Sequence, residues 1–157
     1  MTSVDRGCLI CGDGALPPGL SREDLVVVVE LHTTASTTVA IPTIRVVAAD
    51  LAGRADFDLD SIADLRMAID DACAVLVRLA APGATLRCRL TVWPGRIEMA
   101  ADVNIDQVAD PLPTGSFGWR LLECLADEAS AASLPAEPGQ PGRRCITLAK
   151  NAATAQP

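Results

Sequence analysis

The stretch "SIADLRMAIDDACAVLVRLA", residues 61–80, carries the periodicity on which the fold turns. Ile62, Leu65, Ile69, Cys73, Leu76 and Ala80 recur at the spacing of an amphipathic helix and form its apolar stripe. Asp70 and Asp71 fall between those positions, and Val75 stands one turn beyond Asp71. A four-residue step puts Asp71 and Val75 on one face of the helix, beside the core stripe. A carboxylate and a bare valine on one off-core face need a reason.

The flanking sequence supplies the rest of the architecture. The helix is expected within residues 56–83, with Asp60 or Ser61 as its cap and Pro82-Gly83 as its terminator. Upstream, "DLVVVVELHT" (24–33) reads as a β-branched strand. A first helix follows, with Ile44, Val47 and Leu51 at helical spacing, Pro42 in its first turn and Gly53 as its stop. Downstream, "ATLRCRLTVWPGRIEMAADV" alternates through a Pro94-Gly95 turn, as a hairpin does. Residues 104–114 read as a loop, and "GSFGWRLLECLADEA" (115–129) as a third helix with Leu121, Leu122 and Leu125 inward. A short strand at 130–134, a Pro/Gly-rich turn and the strand "RRCITLAK" (143–150) complete the chain. This order predicts an α+β two-layer sandwich, about three helices on one face of a mainly antiparallel sheet. The expected organisation is a flexible segment 1–22, one domain 23–150 and a disordered tail 151–157.

Composition narrows the function. The chain has 157 residues, half of them hydrophobic, enough for one good core. Its net charge is −7 without a basic run, so the footprint of a nucleic-acid binder is missing. The longest apolar run, "LVVVVEL", is far too short for a membrane span, and no signal peptide is evident. A cytoplasmic protein is expected, with no membrane partner and with its six cysteines as reduced thiols. Cys73, Cys88 and Cys124 lie inside expected elements, where a cysteine is a small core residue.

Three pieces of the chain, in order, resemble the RsbW/SpoIIAB family of bacterial anti-sigma factors. These are serine protein kinases on the histidine-kinase-like (GHKL, or Bergerat-like) ATPase fold. "DLRMAIDDACAVLVR" resembles the N-box helix, "RIEMAAD" the strand of the first glycine box, and "GSFGWRLLECLADE" the second glycine box. The resemblance spans roughly residues 24–150. It implies Asp71 as the acid that activates the attacking group, and Val75 in the place of the Asn that holds Mg²⁺. It also implies Asp102 as the acid that accepts from adenine, and Gly115, Ser116 and Gly118 as the phosphate cradle at a helix start. ATP and Mg²⁺ are the implied cofactors, yet valine has no oxygen for a metal that takes oxygen ligands. No metal ligand is therefore assigned. Asn104 replaces the glycine expected two places after Asp102. The residues left for the ATP lid, 103–114, are few.

The family further implies an alternative sigma factor and an anti-anti-sigma factor as partners, a homodimer, and control of stress-response transcription. Arg45 matches an arginine of the partner-binding face, where a guanidinium fork suits carboxylates. Losing the metal ligand weakens the kinase implication more than the binding one, since phosphoryl transfer depends on metal and positioning. A sigma-binding regulator and an active kinase both stay open on the sequence, as does a thiol or zinc protein using Cys8 and Cys11. Read without the family, Asp70-Asp71 is a solvated helix surface and Val75 a wider buried face. Asp102 is then a turn former, the glycine pair an ordinary helix entry, and His32 a half-buried strand residue. Trp93 and Trp119 read as core or edge aromatics.

Overall fold

Asp58 opens the long helix. Its backbone is extended, and its carboxylate accepts the Ser61 N–H at 3.1 Å, satisfying one of the donors that a helix start leaves over. Side-chain and backbone hydrogen bonds from Ser61 hold the Asp58 carboxyl below its ordinary range. The cap thus lies before the expected Asp60 or Ser61; Asp60 is instead an acid of the first turn, and Ser61 is buried.

The computed structural model of the protein describes residues 16–35, 40–106 and 111–153. A short 3₁₀ turn (Arg22–Asp24) precedes strand β1 (Val27–Thr34), helix α1 (Ala40–Arg54) and helix α2 (Leu59–Leu79). Strands β2 (Thr85–Trp93) and β3 (Arg96–Asn104), helix α3 (Phe117–Leu125), and strands β4 (Glu128–Leu134) and β5 (Arg143–Asn151) follow. The five strands make one antiparallel sheet in the order β1-β2-β3-β5-β4. The expected α+β sandwich is the observed one. Gly95, with φ +68°, supplies the left-handed residue that turns β2 into β3.

Alternation assigns the faces. Leu86, Cys88, Leu90 and Val92 of β2, Ile97, Met99, Ala101 and Val103 of β3, and Ile146 and Leu148 of β5 enter the core under the helices. From above come Ile44, Ala48 and Ala52 of α1, the stripe of α2, and Trp119 and Leu122 of α3. Every fourth residue of α1 from Ala40 is buried, and three of these four, Ala40, Ala48 and Ala52, are alanines that with Ala68 and Ala72 on α2 suit close helix packing.

α1 does not stop at Gly53. It closes on Asp56, whose φ of 62° is left-handed, and the Phe57 N–H bonds the Ala52 carbonyl at 3.1 Å. That six-to-one bond is a Schellman closure, with the buried Phe57 packed in the same core cluster as Ala52. Three side chains sit otherwise than expected. Leu121 is exposed because Trp119 and Leu122, three apart, define the inner face of α3; Cys124 is exposed for the same reason. His32 is exposed on the sheet face away from the helices, with its ring 3.9 Å from Glu30.

β5 runs to Asn151, and Ala152 is buried with its N–H on the Gly95 carbonyl at 2.8 Å, so order extends past the expected start of the tail. At the other end, Pro17 is buried and Leu20 N–H bonds its carbonyl; Cys8, Cys11 and the rest of residues 1–15 lie outside the described residues. Among the described residues no helix is long and apolar enough to cross a membrane.

An L-residue at a left-handed position costs energy that glycine does not incur. Asp56→Gly is expected to stabilise the protein by about 0.5–1 kcal/mol. A urea titration of both proteins checks this; equal or lower stability in the variant would show that Asp56 makes a compensating contact.

Candidate functional site

Backbone bonds orient the helices over the sheet. Ala81 N–H bonds the Asn104 carbonyl at 2.9 Å, which places the C-terminal end of α2 at the Asn104 end of β3. At the opposite end, Lys150 of β5 donates to the Leu125 carbonyl at 3.0 Å and lies 3.5 Å from the Asp64 carboxylate. The last turn of α3 therefore lies near the first turns of α2. Lys150, the one lysine of the chain, was not singled out by any motif.

The adjacent acids of α2 point to different neighbours. Asp70 reaches α1, its Oδ2 accepting from Arg45 Nη1 at 2.9 Å. Asp71 lies seven residues after Asp64, nearly two full turns, and so shares the flank that faces α3. It makes no hydrogen bond or ion pair among the described residues. Val75, one turn on, is partly buried and packed against the core. Its side chain offers no oxygen beside Asp71.

At the start of α3, Ser116 is the N-cap. Its Oγ accepts the Trp119 N–H at 3.2 Å and donates to the Pro113 carbonyl at 2.7 Å. One amide at the helix start is thereby satisfied by the chain itself. A Cβ at Gly115 would meet nothing within 4 Å, and one at Gly118 only the Ser116 Oγ at 3.9 Å. Neither glycine is required by local packing or by a left-handed backbone.

Asp102 lies elsewhere. Its neighbours Ala101 and Val103 enter the helix-side core, so Asp102 projects from the opposite face of the sheet. There it is fully buried, and Arg87 Nε, its register partner on β2, donates to Oδ1 at 2.7 Å. Arg143 approaches Oδ2 to 3.8 Å, and Arg87 reaches Asn104 at 3.5 Å. The structure thus places Asp71 and Val75 on one flank of α2, and leaves Asp102 across the sheet from them. A shallow cavity of about 220 Å³ lies on that helix-free face, lined by Glu30, His32, Arg87, Cys88 and Arg89.

Burial disfavours the thiolate at Cys73 and Cys88. Burial, with the Asp70 charge adding to it, pushes the Cys73 thiol up to about 12, and burial raises Cys88 well above its ordinary value. Among the described residues no group of three or more His, Cys, Asp or Glu could hold a metal ion.

Two outcomes follow from these contacts. Asp102→Ala leaves the partly exposed Arg87 facing an empty buried site and is expected to cost about 3 kcal/mol. Replacing both members, Arg87→Met with Asp102→Leu, should recover most of that loss; a double-mutant cycle by denaturant unfolding measures it. Gly118→Ala, in the first turn of α3, is expected to stabilise by roughly 0.5–1 kcal/mol in the same assay. A loss would mean that a neighbour approaches this glycine more closely than described.

No family model matches the chain. The anti-sigma-F factor RsbW of Mycobacterium tuberculosis is 34% identical to it over 132 residues, covering 81% of this chain and 75% of that protein. The match is to the CDC 1551 / Oshkosh strain, and the H37Rv protein gives the same figures. A core-wide identity of that extent, on the α+β sandwich described above, establishes kinship. The chain belongs to the RsbW family of anti-sigma factors.

Proposed function

We propose that the chain binds an alternative sigma factor, keeps it from RNA polymerase, and yields it when an anti-anti-sigma partner competes. The observation that carries this reading is the 34% identity over 132 residues to proteins named anti-sigma-F factor RsbW. The exchange of one protein partner for another needs only a difference in affinity between two complexes, without a chemical step. Two copies of the chain act together as a homodimer in this reading.

The reading is independent of nucleotide. Mg²⁺ demands near-ideal octahedral oxygen coordination, and the Asp71–Val75 face offers one carboxylate followed by an apolar side chain packed on the core. The acid expected to accept from adenine, Asp102, is buried in an ion pair on the other face of the sheet. Ser116 Oγ already takes one amide at the start of α3. This donor set does not fit a Mg-nucleotide, and no phosphoryl-transfer step is assigned to the chain.

Run-off transcription with polymerase holoenzyme tests the reading. Adding the chain in excess is expected to abolish the transcript from the promoter of one alternative sigma factor and to spare the housekeeping one. Unchanged transcripts with every alternative sigma factor of the source cell would contradict it. Nucleotide independence has its own test in a thermal melt. Any ligand that binds only the folded state stabilises it, by about 2.7 kcal/mol at a hundredfold excess over its dissociation constant. Millimolar Mg-ATP is expected to leave the melting temperature unchanged. Val75→Asn should show no gain, because a restored carbonyl oxygen does not move Asp102 across the sheet. A clear shift in the parent would refute nucleotide independence.

A further inference from the structure

We propose that Asp70 is a positioning residue for partner recognition, holding the Arg45 guanidinium across the α1–α2 seam for a carboxylate of the sigma factor. The proposal rests on the reading of Arg45 as a partner contact. Arg45 and Asp70 are 25 residues apart in sequence and meet through Nη1 and Oδ2 at 2.9 Å. Each side chain is 34% exposed, so the pair is sunk in the seam with one side turned outward. The buried Arg45 Nε and Asp70 Oδ1 find no hydrogen-bond partner among the described residues. Asp70 therefore fixes the guanidinium through a single contact, and the remaining terminal N–H groups of Arg45 are uncommitted among the described residues.

This arrangement suits recognition. An unanchored arginine loses rotamer freedom on binding, and one already held by a neighbour loses less. The surroundings add to it. Met67, three before Asp70 and so its neighbour on the α2 surface, is 51% exposed. Apolar contacts beside a charged one exclude water from it and strengthen it. The complementary surface is a carboxylate flanked by apolar side chains. A pair that only clasped two helices would not need the uncommitted guanidinium edge.

The experiment measures melting temperature and sigma-factor affinity for Arg45→Ala, Asp70→Asn and the charge exchange Arg45→Asp with Asp70→Arg. Arg45→Ala is expected to weaken binding by about 30-fold or more. Asp70→Asn keeps the shape but replaces the charged acceptor with a neutral amide, loosening the hold on the guanidinium, and should weaken binding about fivefold, mainly through faster dissociation. The exchange is the deciding variant. It restores the α1–α2 link and the melting temperature, but it should bind no better than Arg45→Ala, because a carboxylate now stands on α1. Recovery of affinity together with stability would reduce the pair to a helix clasp and overturn the proposal. Asp70→Asn binding as tightly as the parent, while Arg45→Ala is weakened, would overturn it and leave the Arg45 contact standing. A parent that binds, with Arg45→Ala binding equally well, would remove the Arg45 contact and the proposal with it.

Discussion

The rotation of α2 about its own axis is the constraint on which the molecule depends. Leu65, Ile69, Cys73 and Leu76, with Ala68 and Ala72 between them, are buried toward the sheet and leave the helix one orientation. A turn of one residue, about 100°, would carry Asp70 or Asp71 into the core, where an unpaired carboxylate is prohibitive. With the rotation set, each acid has a fixed address. Asp64 faces Lys150 beside the end of α3, Asp70 faces Arg45 on α1, and Asp71 looks along the flank shared with Val75. The bare valine of that flank belongs with the core rather than with a metal.

Much of this was legible in the sequence, for a physical reason. Helical and strand periods are local, so the order of elements and the two-layer architecture follow from where leucine, isoleucine and valine recur. Boundaries decided by a side-chain bond were harder to read. Asp58 rather than Asp60 caps α2, because only Asp58 has the extended backbone that aims its carboxylate at Ser61. The end of α1 depends on Asp56 accepting a left-handed conformation that sequence assigns by default to Gly53. The face of Asp102 was encoded in the alternation of Ile97, Met99, Ala101 and Val103, but Ala100 blurred it, being small and apolar on the wrong parity. The ion pairs Arg45–Asp70 and Arg87–Asp102 join residues 25 and 15 apart, and no local pattern announces them.

The candidate site divides along the same line. What the chain shares with a nucleotide-binding N-box is its helix, whose stripe the core demands whatever the helix does. What differs is the chemistry at these positions: Val75 carries no oxygen, Asp102 stands on the sheet face away from the helices, and Ser116 Oγ takes the Trp119 amide. A scaffold can keep its packing while its ligand set drifts, because packing is selected by the core and ligands by the reaction. The α1–α2 pair carries the Arg45–Asp70 contact and the exposed Met67, the surface proposed for a protein partner.

If this member of the RsbW family holds a sigma factor by protein contacts alone, one titration shows it. The dissociation constant for the cognate sigma factor is measured by calorimetry with Mg-ATP present and with nucleotide removed by EDTA and dialysis. The same constant is expected in both conditions. Binding that appears only with Mg-ATP would contradict it.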